Sequence, residues 1–105
     1  LVNAHNLGVT NPLASVKSWL TELPKGIVGE FHLAGCTPPK ANQMMIDDHS
    51  QLVSDELWQL YSWSLKRFGK ITTLIEWDLD LPDWSVLVQQ AQKARGIAQE
   101  VFSGC

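Results

Sequence analysis

Cysteine is scarce in this chain, and its scarcity argues against several classes of protein. The 105 residues contain only Cys36 and Cys105, which form no CxxC pair and are too few for a disulfide framework. Without paired cysteines, an iron–sulfur cluster or a structural zinc site is disfavoured. We therefore expect a reducing, cytoplasmic compartment.

Long apolar runs and basic clusters are also missing. No stretch approaches the ~20 continuous apolar residues of a transmembrane helix, and the first residues lack the charged-then-apolar layout of a signal peptide. The chain carries 8 Lys and Arg against 11 Asp and Glu, a formal net charge of −3. This pattern argues against a membrane and against nucleic acid as partners.

Apolar side chains, in contrast, are plentiful enough for a packed core. Hydrophobic residues make up 45% of the 105 positions, which is typical of a globular domain. The length suffices for one domain and not for two. Because the chain opens at Leu1 without an initiator methionine, we interpret residues 1–105 as a single partial domain, a fragment.

Helical and strand-like patterns alternate along the sequence. Helices are predicted over 12–23, 54–69 and about 83–102, with Asn11 and Ser54 as N-caps of the first two. Strands are predicted over 27–34 and 71–77, with a further strand at the opening "LVNA". This order indicates βαβ units with a parallel sheet. So narrow a sheet has unpaired edges, which indicates part of a larger (β/α) array.

The five tryptophans raise the question of a partner surface. Trp58 and Trp84 fall at helical positions in apolar stripes, so we expect them to pack in the core. Trp19, Trp63 and Trp77 are less clearly placed, and an exposed cluster would mark a partner surface.

Ionisable residues crowd into two otherwise apolar stretches, "GEFHLAGC" at 29–36 and "MMIDDHSQ" at 44–51. A buried charge is costly unless it is paired or bound to a metal. His32 ends one predicted strand, Asp47 and His49 lie in the loop after it, and Glu76 ends the next strand. Since functional residues of parallel α/β folds gather at the carboxyl ends of strands, we expect these four at one rim.

Imidazole and carboxylate groups together suit Fe(II), Mn(II) or Zn(II). The competing interpretation is structural: His32 is a hydrogen-bonded core histidine, Asp47 and Asp48 cap the loop, and Glu76 is solvated. The spacing does not decide between them, because it is not a specific pattern.

Other residues are weaker candidates. Glu30 orients a ligand histidine or forms a salt bridge. Cys36 is a ligand, a reactive thiol or a small buried apolar residue. Asp78 caps the last helix or touches a substrate, and His5 belongs to a rim or to a surface loop.

Three strings, "VGEFHLAG", "MMIDDHSQLVSDELWQLYSWSLKRFG" and "TTLIEWDLDLP", resemble a known family. They are similar to the C-terminal third of the domain-of-unknown-function family 692, the multinuclear iron enzymes that include the methanobactin-biosynthesis oxidase. His32 matches the histidine of the family's "HLAG", Asp47 and His49 match its "IDTH" pair, and Glu76 matches the glutamate of its "LIEWD".

The resemblance implies an α/β fold, the sixth to eighth β/α units of a TIM barrel that this chain leaves incomplete. It implies two or three iron ions, or another divalent metal, bound by residues that include His32, Asp47, His49 and Glu76. Glu30, Cys36 and Asp78 are candidates for the surrounding shell. The implied reaction is an O₂-dependent oxidation of cysteine residues in a peptide, with a small partner protein presenting that peptide.

Two positions depart from the family pattern: Cys36 stands where the family usually has histidine, and Asp48 where threonine is common. A family member is also more than twice as long, and its earlier strands supply further ligands. We therefore expect the isolated chain to be inactive. Two alternatives stay open: a non-catalytic fragment that forms homo-oligomers or binds a partner through exposed strand edges, and a divalent-metal TIM-barrel enzyme of the sugar-isomerase type.

Overall fold

The structure, a computed structural model, describes residues 1–103, so the sequence interpretation of Cys105 lies outside the described residues. The elements, in chain order, are α1 (Val2–Asn6), α2 (Pro12–Thr21), a short 3₁₀ turn (Lys25–Ile27), β1 (Phe31–Leu33), α3 (Asp55–Phe68), β2 (Thr73–Ile75) and α4 (Trp84–Ser103). The predicted alternation of helices and strands is confirmed from α2 onward.

Local signals set the helix ends. The Asn11 side chain accepts a hydrogen bond from the Ala14 N–H at 3.1 Å at the start of α2. The Ser54 hydroxyl accepts one from the Leu57 N–H, also at 3.1 Å, at the start of α3. Gly69 ends α3 at a φ of 95°, a conformation that glycine adopts without steric cost. Both predicted N-caps are therefore confirmed.

The sheet consists of two parallel strands. Phe31 is paired with Thr73, His32 with Leu74, and Leu33 with Ile75. The Glu76 N–H donates to the Leu33 carbonyl at 2.9 Å, which extends the ladder past β2. The strands are shorter than predicted. Among the described residues each strand has one neighbour, and only the residues that lie opposite that neighbour form backbone hydrogen bonds between strands.

The predicted strand at "LVNA" is wrong: Val2–Asn6 form the helix α1, which packs against α2. A strand needs a neighbour to satisfy its backbone groups. In residues 1–103 the one sheet contains β1 and β2 alone. A helix, in contrast, satisfies those groups within itself.

The core lies between one face of the sheet and helices α3 and α4. Its buried residues are Leu33, Val53, Trp58, Tyr61, Leu65 and Ala94. Phe31 packs edge-on against both Tyr61 and Phe68, with ring centroids 6.1 and 6.3 Å apart. The other face of the sheet is open, and Leu74 there is 46% exposed.

The two tryptophans expected in the core differ in outcome. Trp58 is 5% exposed, as predicted, whereas Trp84 is 75% exposed, so the expectation for Trp84 is wrong. Trp84 opens α4 beside the outer edge of β2, where it lines an open groove with Leu74 and Val88. In the described part of the chain no further strand lies at that edge to cover it.

The fold class is thus mixed α/β with a small parallel sheet, which is compatible with part of a larger α/β fold. Among residues 1–103, no helix combines the length and the apolar character that crossing a bilayer requires.

Gly35, just beyond β1, lies where two segments of backbone meet. A Cβ atom at this position would overlap the carbonyl oxygens of Gln51 and Leu52. Only glycine permits this approach, which closes the base of the loop between β1 and α3.

We predict that Gly35→Ala lowers the free energy of unfolding by ~3 kcal/mol or more, the upper range of ordinary overpacking, because backbone atoms cannot rotate out of the way. Urea unfolding followed by tryptophan fluorescence measures this loss. Gly29→Ala is the matched control, since nothing lies within 4 Å of a Cβ there. Equal losses in the two variants would contradict the prediction.

Candidate metal centre

The carboxyl ends of β1 and β2 bring together side chains from four segments. His32 lies in β1, Glu76 directly follows β2, and His49 and Asp78 lie in the loops after the two strands. The loops are joined, because the Asp78 N–H donates to the His49 carbonyl at 2.7 Å. His49 has a φ of 50°, an uncommon conformation for a residue with a side chain.

Glu76 lies between the two histidines. Its Oε1 is 3.2 Å from His32 Nδ1, and its Oε2 contacts His49 Nδ1. The Glu76 carboxylate therefore contacts both imidazole rings, one through each of its oxygens.

His49 Nδ1 also faces a second carboxylate, at 2.7 Å from Asp78 Oδ2. One potential ligand atom from each of His49, Glu76 and Asp78 lies within 4.8 Å of the other two. These three side chains form a convergent donor set of one nitrogen and two oxygens.

Each imidazole meets a further carboxylate on its opposite nitrogen. Glu30 Oε1 is 2.9 Å from His32 Nε2, and Asp47 Oδ1 is 3.0 Å from His49 Nε2. The two histidines thus repeat one arrangement, with Nδ1 toward the shared Glu76 and Nε2 toward an outer carboxylate.

The structure distributes the four sequence candidates unequally. His32, His49 and Glu76 come together, whereas Asp47 lies on the far side of the His49 ring and is 64% exposed. Asp78, expected only as a neighbour of the site, takes the inner position. The signal for it was present in "EWD", because alternate residues of an extended segment point the same way.

Negative charge dominates this cluster. Four carboxylates, Glu30, Asp47, Glu76 and Asp78, face two imidazoles, so even two imidazolium ions would leave a charge of −2. The hydrogen bond to Asp78, with the charges of Asp47 and Glu76, raises the pKa of His49 against the opposing effect of burial. A divalent cation would offset the remaining charge.

The donor types fit iron. Imidazole nitrogen with carboxylate oxygens suits Fe(II) and other divalent first-row metals. A histidine that binds a metal through one ring nitrogen is usually oriented by a carboxylate at the other nitrogen, as both histidines are here. Residues 1–103 therefore contain a His, Glu and Asp group capable of holding a metal ion.

Cys36 lies near the start of the loop between β1 and α3 and is not a member of the convergent set. Burial raises the pKa of its thiol, and the negative charges of Asp48 and Asp47 raise it further. Since the thiolate is the form that binds metals, these surroundings disfavour Cys36 as a ligand.

Asp48 anchors the loop instead of joining the cluster. Its carboxylate accepts hydrogen bonds from the Thr37 hydroxyl at 2.6 Å, the Ser50 hydroxyl at 2.7 Å and the Thr37 N–H at 3.1 Å. These bonds lower the pKa of Asp48 to about 2. The same hydrogen bonds hold Asp48 in place, and with it the backbone between Asp47 and His49.

A parallel α/β fold with a histidine and carboxylate cluster at its strand ends defines a class of candidate metalloprotein. Within that class the chain belongs to the family described as RiPP precursor modification enzyme MbnB/TglH/ChrH, whose pattern it matches over residues 1–99. The family resemblance drawn from the sequence is thereby confirmed.

Relatives of this chain share between a third and a half of its residues. A UPF0276 protein of Chromobacterium violaceum is 42% identical over 96 residues, covering 91% of this chain and 32% of the relative. A UPF0276 protein of Vibrio vulnificus is 48% identical over 80 residues, 74% of this chain and 28% of the relative. A UPF0276 protein of Rhizobium meliloti is 36% identical over 106 residues, covering 98% of this chain and 34% of the relative.

The chain therefore spans about a third of the length of the curated relatives it matches. No solved structure matches it.

Asp48 gives a prediction for acid stability. Its pKa lies below the ordinary value of 3.8, at about 2 in the fold, so its stabilising effect is complete above pH 3.8 and is lost as the pH falls toward 2. We expect Asp48→Asn to be less stable than the parent at pH 5, and the difference to shrink between pH 4 and pH 2.

Urea unfolding at a series of pH values measures this difference. Asp80→Asn is the control, because Asp80 is an exposed aspartate with a φ of 51° that asparagine also tolerates. A gap between parent and Asp48→Asn that stays constant down to pH 2 would refute the assignment.

Proposed function

We propose that this chain supplies part of the metal site of an iron-dependent oxidase that modifies cysteine residues of a peptide. The observation that carries the proposal is Glu76, whose two oxygens face the Nδ1 atoms of His32 and His49. A carboxylate placed between two imidazoles would suit a centre with more than one metal ion.

Each residue then has a distinct role. His49, Glu76 and Asp78 would hold one ion, and His32, which also contacts Glu76, would be a ligand for a second one. Glu30 and Asp47 would accept the Nε2 protons of the two rings, which fixes the ring orientation and leaves Nδ1 free of a proton for the metal. Asp47 is thus assigned to orienting His49, in place of the direct ligation expected from the sequence.

The chemistry that ferrous iron supplies when bound is the O₂-dependent oxidation of a coordinated cysteine thiolate. The protein contributes ligand orientation and access. His32, Asp47 and Asp78 are each more than half exposed, so a peptide side chain can reach the cluster. The same exposure leaves the site open to water, which supports the expectation that the isolated chain is inactive.

Family membership supports a peptide as substrate, because the family modifies RiPP precursors. This favours peptide modification over the sugar-isomerase alternative. The small partner protein, the two or three irons and the placement of residues 1–105 as the sixth to eighth units of a TIM barrel belong to the same proposal.

The metal site predicts a specific loss of binding. We expect the anaerobically purified chain to retain iron after Fe(II) loading and desalting, and Glu76→Gln to retain little, because one of the shared carboxylate oxygens is replaced by an amide nitrogen. Elemental analysis gives the iron content per chain.

The matched control is Glu100→Gln, a glutamate on the exposed side of α4, which should bind as the parent does. Circular dichroism confirms that each variant is folded. Iron content at background in the folded parent would exclude a site in this chain alone, and equal content in parent and Glu76→Gln would exclude Glu76 as a ligand.

A second candidate function is association through the outer edge of β2. That edge and the apolar side of α4 form an open groove lined by Leu74, Trp84, Leu87, Val88 and Ala91, among others. An unpaired strand edge beside exposed apolar side chains favours addition of another strand. The notable feature is Trp84, which is 75% exposed.

We predict that the chain self-associates as its concentration rises, and that Trp84→Lys shifts it toward the monomer by placing a charge in the groove. Size-exclusion chromatography with light scattering at several concentrations measures this shift. Trp19→Lys is the control, because Trp19 lies on α2 and is also exposed, at 62%. A parent that stays monomeric throughout would refute self-association.

A further inference from the structure

The loop between β1 and α3 carries the cluster's Asp47 and His49. Its base is closed by the approach of Gly35 to the backbone of residues 51–52 and by the hydrogen bonds between Thr37 and Asp48. Residues 38–47 form an excursion beyond this base, without helix or strand. The position of Asp47 therefore depends on what holds the excursion.

One side chain from outside the loop holds it. The Asn6 carboxamide donates from Nδ2 to the Met45 carbonyl at 2.9 Å and accepts from the Met45 N–H at Oδ1 at 2.7 Å. In the described part of the chain, these are the hydrogen bonds that join residues 38–47 to another element. Met45 stands two residues before Asp47, so the clamp acts close to the cluster.

Asn6 is itself fixed in place. It ends α1, and the preceding residue, His5, places Nε2 2.6 Å from Glu56 Oε1 in the first turn of α3. Helix α1 also packs against α2, which packs against α3. The amide thus connects the loop to the helical part of the core.

We propose that Asn6 is a positioning residue for the metal centre, acting through the backbone of Met45. This inference rests on the proposed metal site. By holding residues 38–47, Asn6 keeps Asp47 Oδ1 against His49 Nε2, at 3.0 Å, and so keeps the His49 ring in its orientation. In a variant that lacks the Asn6 hydrogen bonds, metal binding would also have to order residues 38–47. The parent holds these residues in place before the metal binds, so it does not meet this entropic cost.

The carboxamide is the group that this role needs. It offers one donor and one acceptor to a backbone that offers one of each. Asn6→Ala removes both hydrogen bonds. Asn6→Asp keeps the acceptor, loses the donor and places a negative charge beside the Met45 carbonyl oxygen.

The first measurement is amide hydrogen exchange on the metal-free chain. We expect Asn6→Ala to speed exchange at Met45 about tenfold, the equivalent of one hydrogen bond of ~1.4 kcal/mol, with exchange in α3 unchanged. The ¹⁵N signal of His49 Nε2, which reports its contact with Asp47, is expected to shift in the same sample.

The second measurement is Mn(II) affinity by titration, since Mn(II) accepts the same nitrogen and oxygen donors. Asn6→Ala is expected to bind about tenfold more weakly, with Asn6→Asp between it and the parent. Asn3→Ala is the control, because Asn3 is an exposed side chain on the same short helix.

The outcomes separate the two proposals. Faster exchange with an unchanged His49 signal and unchanged Mn(II) affinity would overturn the positioning role and leave Asn6 as a structural contact. If Asn6→Ala matched Asn3→Ala in both amide exchange and Mn(II) affinity, Asn6 would neither hold the loop nor position the site. A folded parent without Mn(II) affinity would refute the metal site. The His49 signal would still show whether Asn6 orients that ring, and an unchanged signal would refute this effect as well.

Discussion

The parallel register of β1 with β2 is the constraint on which the rest of the site depends. The pairing of Leu33 with Ile75, continued by the hydrogen bond from the Glu76 N–H to the Leu33 carbonyl, ends both strands at the same level. Glu76 then lies beside His32, and the loops that follow bring His49 and Asp78 to the same carboxylate. A shift of one residue would turn Glu76 to the opposite face of the sheet.

The same small sheet explains two surfaces. Its inner face is covered by α3 and α4 and forms the core, whereas its outer face carries His32 and Leu74 and stays open. The open face leaves the cluster accessible, and the edge of β2 that no other described strand covers leaves Trp84 exposed. The accessible cluster and the exposed start of α4 thus have one cause: among residues 1–103 the sheet has only two strands.

Local sequence signals predicted the helices well and the strands less well. Asn11, Ser54 and Gly69 set helix ends through contacts within a few residues, so the bounds of α2 and α3 followed from the pattern. Strand extent depends on distant partners, which is why β1 and β2 are shorter than the β-like runs that contain them. For the same reason the opening "LVNA", which has no strand beside it among residues 1–103, is a helix.

The sequence by itself determined the family, the alternation of helices and strands, and the residue types that crowd near the strand ends. Only the tertiary structure decided their arrangement: Asp78 and not Asp47 shares the Nδ1 side of His49, and Asn6 reaches a loop 39 residues away. The reason is physical. Composition and periodicity report local backbone preference, whereas the choice among neighbouring carboxylates is made by loop closure and by the direction in which each ring points.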